Sequence, residues 1–141
     1  MDASRKYILN IDLSVRKRYF SSLVEYAIIV TEEAMDTLKK LQENGIKLSE
    51  ENIKVLIEKY NVKEFAVFGS SLRNDFNSQS DIDFLIEFNN SESISLFDLI
   101  DIQEYLEDIT GRSVDLVEPE SLNNPYRRDA ILKSKETLYV A

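Results

Sequence analysis

The chain has no histidine and no cysteine. Without histidine there is no imidazole general base and no imidazole metal ligand. Without cysteine there is no disulfide, no thiolate nucleophile and no thiolate zinc site. Any metal chemistry falls to oxygen ligands, which suit magnesium, manganese or calcium. Glycine and proline are scarce, 3 and 2 in 141 residues, so no flexible linker or low-complexity tract is legible. No internal repeat is found. Positive charge is short as well: 17 basic against 26 acidic residues leave a net charge of −9. Neutralising phosphates needs a basic excess, so direct nucleic-acid binding is not expected. No apolar run approaches the ~20 residues that span a bilayer. The first residues include Asp2 and Asp12 and no long apolar stretch, so they do not read as a signal peptide. A cytoplasmic protein without membrane attachment is the expectation.

What is present suffices for one core: 43% of the residues are hydrophobic and 10% aromatic, which excludes a disordered acidic tail. The charge is uneven. Residues 1–47 carry 8 basic and 7 acidic side chains, and residues 48–141 carry 9 and 19. With the helix stop Glu43-Asn44-Gly45, this suggests an N-terminal helical extension, 1–47, before a domain, 48–141. Leu23, Ala27, Val30, Ala34, Leu38 and Leu41 recur at helical spacing, widened by Phe20, Val24, Ile28 and Met35. The pattern predicts one long helix over 14–43. Its apolar stripe is read either as packing on the domain or as a partner or homodimer surface.

A second helix is expected over 49–60, capped by Ser49, with Ile53, Leu56, Ile57 and Tyr60 as its buried stripe. Residues 64–68 read as a strand ended by Gly69-Ser70-Ser71, and 72–80 as a polar loop. Residues 81–88 form a second strand. Ser95 and Asp98 predict a capping box for a helix running to Thr110, closed by Gly111. Residues 113–117 form a third strand, 126–135 a helix, and 138–140 a short strand or tail. Alternating strands and helices imply an α/β (α+β) domain.

The informative stretch is 69–83, GSSLRNDFNSQSDID. On a strand, Asp81 and Asp83 project to one face, about 7 Å apart along the backbone. Like charges so placed call for a cation between them, and magnesium suits hard oxygen ligands. Taken alone, Asp-x-Asp is more often the polar edge of a strand, and Gly69-Ser70 more often a plain turn. Glycine at that point also allows a phosphate to approach the backbone, with amides and the Ser70 hydroxyl as donors. Asp115 lies mid-strand, where Asp is disfavoured. Together the turn and the three carboxylates describe a site for two-metal phosphoryl or nucleotidyl transfer.

The run GSSLRNDFNSQSDIDFLIEF resembles the signature of the DNA polymerase β-like nucleotidyltransferases, above all the minimal nucleotidyltransferases of bacteria and archaea. Gly69, Ser70, Arg73, Ser80, Asp81, Ile82 and Asp83 match in identity and spacing. Asp115 takes the place of the third aspartate, and the tail from Asn124 to Tyr139 is similar to the family's ending. The resemblance covers about 48–141. Two departures stand out: Asn74 where the family has Gly after the arginine, and Ser71 where a basic residue is common. The implied fold is a small mixed sheet with helices packed on it.

The implied chemistry is transfer of AMP from ATP to a hydroxyl, with release of pyrophosphate. The resemblance makes Asp81, Asp83 and Asp115 ligands of two magnesium ions, with manganese as a substitute. Asp115 would also assist deprotonation of the acceptor. Gly69, Ser70, Arg73 and Ser80 would serve the triphosphate. Such proteins pair with a HEPN-class RNase toxin and adenylylate one of its tyrosines, so an antitoxin with a HEPN toxin partner is implied. Two other readings stand beside it. One is a binding module that silences its partner by contact alone. The other is an aminoglycoside-type small-molecule nucleotidyltransferase, which would need a substrate domain that nothing after Asp115 supplies.

Overall fold

A computed structural model describes residues 31–73, 76–77 and 79–141. Its first helix, α1, is Glu32–Glu43. Thr31 caps it with an extended backbone, and the Thr31 hydroxyl accepts a hydrogen bond from the Ala34 amide at 3.0 Å. The helix expected over 14–43 is therefore not continuous through residue 31. The run Ile28-Ile29-Val30-Thr31 is β-branched and poor at propagating a helix, whereas Thr followed by Glu32 and Glu33 is a strong start. The rest of the expected helix lies outside the described residues, as does Asn74. The helix stop falls where it was read. Ile46 N–H bonds Leu41 C=O and Gly45 N–H bonds Gln42 C=O, both at 2.9 Å, with Gly45 at φ +79°. These paired bonds close the helix end, and the buried Leu41 and Ile46 side chains lie across it.

The remaining elements follow in order: α2 (Glu50–Tyr60), β1 (Val62–Phe68), β2 (Ile82–Phe88), α3 (Leu96–Thr110), β3 (Val114–Val117), α4 (Pro125–Ser134) and β4 (Glu136–Val140). Ser49 with Asn52, and Ser95 with Asp98, form reciprocal capping boxes. Asn61 (φ 53°) and Gly111 (φ 68°) stop α2 and α3 in left-handed conformations. The residues read as ending the first strand, Gly69-Ser70-Ser71, form a 3-10 turn with Leu72, ahead of the polar loop expected over 72–80.

The sheet has the order β3-β2-β1-β4. β1 is antiparallel to both β2 and β4, and β2 is parallel to β3. The mixed sheet agrees with the fold expected from the sequence. Its two faces differ. Phe65, Val67, Ile82, Phe84, Ile86 and Val114 belong to the main core, shared with Leu41, Ile46, Ile53, Leu56, Ile102 and Leu106. The described part of the N-terminal segment thus packs into the same core as the sheet. The second face carries Ala66, Phe68, Leu85 and Val117, covered by Leu122 and by Ile131 of α4. Strand alternation puts Asp83 and Asp115 on this second face. Among the described residues no helix is long and apolar enough to cross a membrane.

Candidate active site

The C-terminal end of β1 lies beside the starts of β2 and β3. Asp83 pairs with Phe68 on one side and with Asp115 on the other. Asp81 stands just before β2, two residues from Asp83 and on the same side of the chain. It is exposed, Asp83 is half-buried and Asp115 is exposed. Burial raises the Asp83 carboxyl above the ordinary aspartate range, and the charges of Asp115 and then Asp81 push it the same way. Arg127, in the first turn of α4, opposes them. Among the described residues, no three carboxylates are already gathered as a metal cage. The donor set is all oxygen, and its negative charge, which Arg127 offsets only in part, fits a divalent cation.

Gly69 follows Phe68 directly and has φ +78°. A Cβ there would collide with the Asp83 Oδ2 atom and lie 3.3 Å from Asp83 Cγ. The turn backbone therefore lies against the carboxylate itself. Ser70 is half-buried, and its carbonyl accepts from the Arg73 amide at 2.9 Å. Arg73 is exposed at the end of the turn. Ser71 is fully buried, and its Oγ has no hydrogen-bond partner among the described residues. Its side chain faces the interior, so it is not presented to a phosphate. Ser80 is half-buried immediately before Asp81, and its hydroxyl accepts from the Asn77 amide at 3.4 Å.

Asp115 is fixed through its neighbour. Gln103 Nε2 donates to Val114 C=O at 3.0 Å, and Val114 N–H donates to Glu107 Oε2 at 3.1 Å. Both backbone groups of Val114 are thereby satisfied by α3, which covers the free edge of β3. Three further residues bear on the site that motif reading did not single out. Asn44 Nδ2 donates to Ser71 C=O at 2.7 Å and to Arg73 C=O at 3.2 Å. Arg112 donates to Ser80 C=O at 3.1 Å and to Asn77 C=O, and lies 4.4 Å from the Phe76 ring centroid. Arg127 faces Asp83 from α4. Asn44 carried only a helix-stop signal, and Arg112 none. Arg127 was visible only within the family-like tail.

The nucleotidyltransferase domain family model matches residues 49–138. A Methanocaldococcus jannaschii protein named for protein adenylyltransferase activity is 39% identical over 106 residues, 75% of this chain and 100% of its own. A solved structure named for a minimal nucleotidyltransferase is 28% identical, with TM-score 0.53, covering 70% of this chain and 92% of its own. A toxin–antitoxin structure with AMP-PNP matches at 19% identity and TM-score 0.54, covering 67% of this chain and 75% of its own. That last likeness is one of fold.

Proposed function

The chain belongs to the nucleotidyltransferase domain family, as a minimal protein adenylyltransferase, and from that premise we propose that it transfers AMP from ATP to a tyrosine of a HEPN-class RNase toxin. The observation that carries the reading is the contact of the Gly69 backbone with the Asp83 carboxylate, which has Asp115 as its strand neighbour. A turn able to grip phosphates and a pair of metal-seeking carboxylates are one structure here.

Asp81, Asp83 and Asp115 would hold two magnesium ions, or manganese in their place. Bound there, such ions would offset charge on the triphosphate and make the acceptor hydroxyl more acidic. The amides near Gly69 and the Ser70 hydroxyl donate to the β and γ phosphates, with Ser80 and Arg73 closing the far side. The acceptor oxygen forms a bond to the α-phosphorus, and the bond from that phosphorus to the bridging oxygen breaks. Pyrophosphate leaves, and the acceptor proton passes to the exposed Asp115 and on to water. The toxin partner is supported by the fold shared with the toxin–antitoxin structure and by a net charge of −9, which complements a basic RNase.

The test is intact-mass spectrometry of a cognate HEPN toxin incubated with the chain, magnesium and ATP. The expected product is the toxin plus one AMP on a tyrosine, absent when that tyrosine is Phe. A toxin silenced without any gain in mass would replace transfer by contact.

A further inference from the structure

The segment joining β1 to β2 carries the phosphate turn at one end and leads into Asp81 at the other. Both ends are held by side chains from elsewhere in the fold. Asn44 sits at the end of α1, where the paired backbone bonds of the helix stop fix its position. Its amide carries two N–H groups, and each meets one turn carbonyl, that of Ser71 and that of Arg73. These carbonyls flank Leu72. At the other end, Arg112 Nη2 donates to the carbonyls of both Asn77 and Ser80, and the guanidinium lies over the Phe76 ring. Arg112 stands three residues before Asp115, on the connection between α3 and β3. One side chain thus links the approach to Asp81 with the approach to Asp115.

We propose that Asn44 and Arg112 are positioning residues that hold the two ends of this segment, so that the phosphate turn and the carboxylates are in register before ATP arrives. The inference rests on the nucleotidyl-transfer reading of the site. Neither residue touches substrate. Each raises the fraction of molecules whose turn is ready to bind. Loss of that fraction weakens apparent affinity in proportion, while a turn already filled by ATP reacts as before. The signature is therefore a change in affinity for Mg·ATP with little change in kcat.

The experiment measures Kd for Mg·ATP by calorimetry, kcat for transfer, and melting temperature, for wild type, Asn44→Ala, Asn44→Asp, Arg112→Ala and Arg112→Lys. Asn44→Ala is expected to weaken Mg·ATP binding about 3- to 10-fold, with kcat within about twofold. Asn44→Asp keeps the size but turns acceptors toward two carbonyls, so it binds no better than the alanine variant. Arg112→Lys keeps the charge and a donor nitrogen but loses the planar guanidinium over the Phe76 ring, so its Kd is expected to fall between those of wild type and Arg112→Ala. Amide exchange without ATP should be faster at Arg73 and Phe76 in the Asn44 variants. If Arg112→Ala does not fold, the lysine variant carries that arm. Folded variants with wild-type Kd overturn the proposal, even if they melt lower. A failure of the functional reading is separate and would show in the wild type, as an absence of Mg·ATP binding.

Discussion

Gly69 is required on two counts, its left-handed backbone and the carboxylate against its Cα. The backbone alone costs a side-chain-bearing residue about 1–2 kcal/mol. The collision with Asp83 Oδ2 displaces either the turn or the carboxylate. Gly69→Ala is expected to lose that much stability in urea unfolding and to lose transfer by about 10²-fold, since small misplacements cost that much. Wild-type transfer by this variant would mean that the turn and Asp83 need not be in contact. Asp83 gives a second prediction. Its pKa is raised in the fold by burial first, then by Asp115 and Asp81. A raised carboxyl contributes stability that is complete below the unfolded aspartate pKa. That contribution is lost as pH rises through the folded value. At neutral pH, without divalent ions, Asp83 is therefore an unfavourable charge. Asp83→Asn should melt a few degrees above wild type in chelator and show no magnesium-dependent gain. A melting point equal to or below wild type in chelator would contradict this.

Elements bounded by local chemistry were legible in the sequence. Ser95, Asp98 and Gly111 mark both ends of α3, and Ser49 and Asn44-Gly45 mark their helix ends, because a cap satisfies backbone groups within a few residues. The placement of Asp83 and Asp115 on one face of the sheet was legible because strand alternation fixes their side, and the turn at Gly69 because a glycine closes the strand before it. What was not legible depends on partners far along the chain. β4 was read only as a short strand or tail over 138–140; the edge that β1 offers settles it as a strand and extends it back to Glu136. Asn44 and Arg112 act across 27 to 35 residues, a distance over which no periodicity speaks. The helix expected over 14–43 missed the cap at Thr31 because periodicity counts apolar positions and gives no weight to a capping hydroxyl. At this scale Leu41 is the decisive residue, since it is fully buried in the core shared with the sheet. Leu41→Ala should cost about 2–5 kcal/mol in a single urea transition. A separate early transition would mean that α1 folds as a unit of its own.

For the whole molecule, the two faces of the sheet divide the work. One face is core, tying α1, α2 and α3 together. The other ends in the carboxylates, with α4 and Arg127 facing them. Negative charge is the general condition of the chain, and three of its carboxylates, Asp81, Asp83 and Asp115, belong to the site. Ligands that neutralise it should stabilise the fold by mass action. Mg·ATP at about 100 times its Kd is expected to add about 2.7 kcal/mol, read as a raised melting temperature, and ATP in chelator much less. A melting curve unmoved by millimolar Mg·ATP would count against a working nucleotide site.

The most direct measurement of the central claim is label transfer in host lysate with magnesium and either α-labelled or γ-labelled ATP, beside an Asp81→Ala, Asp83→Ala control. The account predicts that a macromolecule acquires label from the α position alone and that the control does not transfer it. Label arriving from the γ position, or transfer that survives loss of both aspartates, would contradict it.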